Sequence, residues 1–122
     1  MARLLIIEDE PLLLSDVVEL LTYAGFEAFG ATTGTEGLRL LPEVQPDLVL
    51  CDMMMPELDG HQVLRAIRAN PATAKLPFIF LSAVTDPTTR ETSLAEGANL
   101  YLTKPFTHTD LIEAINACLE TV

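Results

Sequence analysis

The sequence predicts an α/β protein, a doubly wound five-stranded parallel sheet with five helices. Three observations carry that expectation. Five apolar runs recur, at Leu4 to Ile7, Phe26 to Gly30, Leu48 to Cys51, Phe78 to Leu81 and Leu100 to Thr103. Four of them are nearly continuous in hydrophobicity, as strands are when helices cover both faces of a parallel sheet. Between the runs, and after the last, apolar residues recur at helical spacing.

The first run, "LLII", reads as a buried strand that stops at Glu8, Asp9 and Glu10. Leu13, Leu14, Val17, Val18, Leu20 and Leu21 then form the stripe of a first helix, which Gly25 ends as a C-cap. The second run, "FEAFG", is more polar and belongs at a sheet edge. Thr33 with Glu36 reads as a capping box for a short second helix that Pro42 stops. The third run delivers Cys51 and Asp52. Asp59 with Gln62 starts a third helix that turns Val63, Leu64 and Ile67 inward and closes at Asn70-Pro71. After the fourth run, a helix starts at Asp86-Pro87 and ends at Gly97. Its "DPTTRETS" is rich in Thr and Ser and poor in helix formers. The fifth run leads to Lys104-Pro105 and a last helix with Leu111, Ile112, Ile115, Cys118 and Leu119 facing in. His61 and His108 read as exposed residues at helix starts. "GATTGTEG", Gly30 to Gly37, has the wrong glycine spacing for a dinucleotide loop.

A chain of 122 residues, 49% of them apolar, fits one domain with one core, so residues 1–122 are expected to form a single domain. No apolar run reaches the roughly 18 residues of a membrane span, and the short run after Met1 is no signal peptide. Two isolated cysteines, Cys51 and Cys118, define neither a disulfide framework nor a metal spacing and suit reduced thiols in the cytoplasm. With 18 acids against 7 bases the formal charge is −11. Nucleic acid phosphate and anionic lipid would repel such a surface; basic protein surfaces and cations suit it.

The chemistry lies in the residues at the carboxyl ends of the strands. Glu8, Asp9 and Glu10 follow the first, Asp52 the third, Ser82 the fourth and Lys104 the fifth. Ligands of open α/β sheets bind at those ends, so these residues are expected on one rim. Clustered carboxylates repel one another, and Lys104 offsets only one charge. A hard divalent cation, Mg²⁺ or Mn²⁺, would offset more. Asp9 and Asp52 are its expected direct ligands, the backbone carbonyl of Met54 a third, with Glu8 acting through a bound water. A carboxylate beside a cation, a hydroxyl and an ammonium is equipped to accept a phosphoryl group. The methionines at 53 to 55 read as loop and core filling, since no His or Cys joins them in a soft-metal set.

In "IIEDEP", "PDLVLCDMMMPELDG", "PFIFLSA" and "GANLYLTKPF", in that order and spacing, the chain resembles the receiver domain of two-component response regulators. The resemblance, closest in kind to the chemotaxis-regulator-like receivers, covers the whole chain. It implies a flavodoxin-like sheet in the order 2-1-3-4-5 and a cis Lys104-Pro105 bond. It implies Asp52 as the phosphorylated aspartate, Glu8 and Asp9 as the acidic pair of the Mg²⁺ site, and Ser82 and Lys104 as the groups that contact the phosphoryl oxygens. It also implies Ser82 and Tyr101 as a switch pair, the Tyr101 ring filling space that Ser82 vacates. Glu8 departs from the pattern, since many relatives carry Asp there. The partners implied are a sensor histidine kinase or phosphotransfer protein, a downstream effector, and a second copy joined through the face of the fourth helix, fifth strand and fifth helix. No membrane or direct nucleic acid contact is expected, and the chain reads as a switch rather than a conventional enzyme, catalysing only its own phosphoryl transfer and dephosphorylation. Two alternatives compete. An aspartyl-nucleophile phosphatase of the haloacid-dehalogenase type would want a second Asp two residues after the nucleophile, where Met54 stands. An unphosphorylated interaction module would not need Asp52, Ser82 and Lys104 together.

Overall fold

Alternating side-chain direction along continuously apolar strands divides the core into two layers. The computed structural model describes residues 1–120. It places β1 at Arg3–Ile7, β2 at Glu27–Ala31, β3 at Leu48–Asp52, β4 at Phe78–Ser82 and β5 at Leu100–Thr103. The helices are α1 Pro11–Tyr23, α2 Gly34–Val44, α3 Gly60–Ala69, α4 Pro87–Ala95 and α5 His108–Glu120. All strand pairs are parallel, in the order β2-β1-β3-β4-β5. Leu5, Ile7, Val49, Cys51, Phe78 and Phe80 pack against Leu41 of α2 and Val63, Leu64 and Ile67 of α3. Their strand neighbours Leu4, Ile6, Leu48, Leu50, Ile79 and Leu81 pack against Val17, Leu21, Leu111, Ile115 and Cys118 of α1 and α5. Burial on both faces is why these strands read as unbroken apolar runs. β2 is largely exposed and lies at one edge, as its polarity predicts, while β5 is half-buried at the other.

Local signals set the helix ends. Gly25 and Gly97 adopt φ of 101° and 116° after α1 and α4. The Phe26 N–H then bonds the Leu21 carbonyl at 3.0 Å and the Ala98 N–H the Ser93 carbonyl at 3.3 Å, the Schellman arrangement. The capping box of α3 is complete in both directions, whereas at α2 the Thr33 hydroxyl accepts from the Glu36 N–H. One expectation is corrected: Pro42 does not stop α2, which runs on to Val44 and ends at Gln45 in a left-handed conformation. Proline forfeits one bond to the preceding turn, and burial of Leu41 and Val44 on either side of it carries the helix through. Among the described residues no helix is long and apolar enough to cross a membrane.

Candidate functional site

Parallel register brings the strand ends to one rim. Ile7 pairs with Cys51, Asp52 with Leu81 and Ser82 with Thr103, so Glu8, Asp52, Ser82 and Lys104 leave adjacent strands at neighbouring levels. Asp52 and Ser82 are themselves the last residues of β3 and β4. The Lys104-Pro105 bond is cis, and the Lys104 N–H donates to the Ser82 carbonyl at 2.7 Å.

Glu8 is only 1% exposed. Burial of a carboxylate is costly without partners, and it has two: Lys104 Nζ donates to Oε1 at 2.7 Å and the Glu10 N–H to Oε2 at 3.1 Å. Lys104 Nζ also lies 3.5 Å from Asp52 Oδ1, and the Met54 N–H donates to the same oxygen at 3.4 Å. Burial pushes the Asp52 carboxyl up, the Glu8 charge pushes it further, and Lys104 pulls it back, leaving it at about 7 with hydrogen bonds to Asp9 and Glu8. Burial draws the Lys104 ammonium down, but the Glu8 hydrogen bond and the charges of Asp52 and Glu8 outweigh it and hold the ammonium above its ordinary range.

Glu8, Asp9 and Asp52 each offer an oxygen within 4.8 Å of the others. Three hard oxygen donors suit Mg²⁺ or a like ion and not a soft one. Both Glu8 oxygens accept a hydrogen bond, from Lys104 and from the Glu10 N–H. The residues present therefore fit a hard divalent cation. Met54, between the buried Met53 and Met55, exposes 68% of its surface.

Ser82 is fully buried, and its Oγ accepts from the Val84 N–H at 3.0 Å. The Tyr101 hydroxyl donates to the Val84 carbonyl at 2.7 Å. The expected arrival of the Tyr101 ring in space vacated by Ser82 meets a ring that is already buried, held by this bond and packed near Phe80. One residue, Val84, thus joins Ser82 to Tyr101. Nothing in the sequence marks this link, because a main-chain connection leaves no side-chain signature.

His61 corrects the reading of both histidines as exposed. Its side chain is 23% exposed; Nδ1 lies 3.2 Å from Glu96 Oε2 and the ring packs 5.2 Å from Phe80. His108 is exposed at the start of α5, as expected. Arg68, not singled out in the sequence, donates to the carbonyls of Gly97 and Leu76 and to Asn99 Oδ1, tying α3 to the end of α4.

This chain belongs to the response regulator receiver domain family, whose model matches residues 4–116. Receivers of this family are signalling switches of two-component systems, not conventional enzymes. It is 36% identical over 120 residues to RpaA of Synechocystis, described as a DNA-binding transcriptional regulator, covering 98% of this chain and 49% of that one. The chain therefore spans about half the length of RpaA and of several other curated relatives. It is 34% identical to PilH of Pseudomonas aeruginosa, covering 98% of each. The receiver domain of a Pseudomonas aeruginosa sensor histidine kinase, 28% identical, superimposes with a TM-score of 0.88 over 98% of each chain, and carries a magnesium ion in its active-site cleft.

Proposed function

We propose that residues 1–122 form a single receiver domain that works as a phosphorylation-operated switch, with Asp52 as the phosphoacceptor. One observation carries the reading: a buried carboxylate at a strand end, set between two further carboxylates and a lysine whose ammonium reaches two of the three. An Asp52 oxygen attacks the phosphorus of a phosphohistidine on a sensor kinase or phosphotransfer protein. The new O–P bond forms as the P–N bond breaks, and the electron pair leaves with the imidazole, which takes up a proton. Mg²⁺ or Mn²⁺, held by Asp9, Asp52 and the Met54 carbonyl with Glu8 behind a water, would supply charge neutralisation to the equatorial oxygens. Lys104 and Ser82 contact those oxygens, and Glu8 holds the ammonium in place meanwhile.

Donation of the Ser82 O–H to a phosphoryl oxygen draws Ser82 toward the phosphorus and pulls its Oγ away from the Val84 N–H that now donates to it. Val84 is then released, and with it the carbonyl that fixes Tyr101. A change in what holds the ring shifts the population of α4, β5 and α5 packings, and that face signals to an effector or to a second copy. The acidic surface fits a protein partner in the cytoplasm and not direct contact with nucleic acid or membrane. The test is intact mass after exposure to phosphoramidate. An adduct of one phosphoryl group should form with Mg²⁺ and not with excess chelator; equal yields in both would defeat the reading.

A further inference from the structure

The loop from Met53 to Asp59 is fixed at its ends and free of hydrogen bonds in its middle. At one end the Met53 N–H bonds the Leu81 carbonyl at 3.1 Å, and the Gly60 N–H returns to the Met53 carbonyl at 3.0 Å. At the other, Asp59 and Gln62 close the capping box of α3. Between them, among the described residues, no hydrogen bond reaches residues 55–58. Glu57 nevertheless holds φ at 67°, a left-handed conformation that a non-glycine residue keeps only when its surroundings impose it. Packing has to impose it. Met55 is buried in the core on one side. On the other stands Gly34, the first residue of α2. A Cβ on Gly34 would lie 2.9 Å from the Leu58 carbonyl oxygen, 3.2 Å from Leu58 Cβ and 2.8 Å from Val63 Cγ2. The start of α2 therefore rests directly on the loop backbone, an approach that any side chain at position 34 would prevent. This gives a role to the second glycine of "GATTGTEG", which binds no dinucleotide.

We propose that Gly34 is a positioning residue for the cation site: it lets α2 serve as the backstop that sets the loop, and through it the Met54 carbonyl. The inference rests on the proposed binding of a divalent cation by Asp9, Asp52 and that carbonyl. Gly34 touches neither cation nor phosphoryl group and acts only through Leu58.

The test is a calorimetric Mg²⁺ titration of the whole chain, with urea unfolding of each variant in chelator. Gly34→Ala should weaken Mg²⁺ binding by about tenfold or more, the usual cost of losing an outer support of a metal site, and should also lower the urea midpoint. Adding Val63→Ala removes one of the two clashes but leaves the backbone one. Measured against Val63→Ala alone, which carries its own cavity cost in the core, the double variant should lose less of the midpoint than Gly34→Ala loses against the parent, and should keep the Mg²⁺ defect. Recovery of both together, or a folded Gly34→Ala that binds Mg²⁺ within about twofold of the parent, would overturn the proposal. Should neither variant fold, Leu58→Gly loosens the same contact from the loop side; it should weaken Mg²⁺ several-fold, and parent-like binding would overturn the proposal. A parent that binds no Mg²⁺ would remove the cation reading itself and this inference with it, whereas a parent that binds beside unaffected variants removes the inference alone.

Discussion

At the residue scale the site is a balance between Lys104 and three acids. The Asp52 carboxyl sits at about 7, so a proton and a cation compete for it. Mg²⁺ binding should therefore weaken as pH falls through 7, by about fivefold between pH 7 and pH 6, and level off above pH 8; calorimetric titration at several pH values checks this, and affinity independent of pH would contradict it. Lys104→Met leaves Glu8 buried without its cation. The variant should lose about 2–4 kcal/mol of unfolding free energy at pH 8. Without Lys104 to pull it back, the Asp52 carboxyl would hold its proton still more tightly when folded than when unfolded. The stability that this proton supplies is present at low pH and lost as pH rises, so the deficit should shrink at pH 5. Urea unfolding at both pH values reads the difference. Met54 and Val84 stand two residues beyond Asp52 and Ser82, and neither side chain orients a water for hydrolysis. The phosphoryl form should decay slowly, and Met54→Asn with Val84→Glu should speed decay roughly 5- to 30-fold, the worth of one orienting hydrogen bond. Equal or slower decay in the double variant would refute this. The acids, Asp52, Ser82 and Lys104 were legible because strand ends expose their side-chain chemistry. The main-chain link through Val84 and the close approach at Gly34 were not, since one runs through a peptide group and the other depends on a side chain that is absent.

At the scale of elements, α3 and α4 are built to different standards. α3 has a complete capping box and a fully buried stripe in Val63, Leu64 and Ile67. In α4 the Thr92 and Ser93 hydroxyls donate back to the carbonyls of Thr88 and Thr89, both at 2.8 Å, and Ser93 is its buried residue. Such side-chain bonds compete with the helix rather than support it. Its carboxyl end is fastened to α3 by Arg68 on the Gly97 carbonyl and by His61 and Arg65 on Glu96. Hydrogen exchange should therefore run faster in α4 than in α3, fastest over Thr88 to Arg90, and should change there on phosphorylation or on binding a phosphoryl mimic. Equal protection of the two helices, unchanged by the mimic, would contradict the switch. The Thr-rich composition made this weakness readable in advance. Where α2 ends was not, because burial of Leu41 and Val44 outweighs a proline's local preference, and the half-buried place of His61 depends on Glu96, 35 residues away.

For the whole molecule, five parallel strands between two helical layers place every strand end of the site on one rim. Strand type and number followed from hydrophobic runs; the order β2-β1-β3-β4-β5 followed from family resemblance, since periodicity ranks no strands beyond a polar edge. The central claim is that this rim serves one acceptor, Asp52. Borohydride reduces an aspartyl phosphate to homoserine and leaves a free carboxylate unchanged, so it marks the acceptor in place. After phosphorylation with Mg²⁺ and a small phosphodonor, reduction and peptide mapping should find homoserine at position 52 and nowhere else. Homoserine at another position, or none in a protein that carries the phosphoryl group, would contradict the claim.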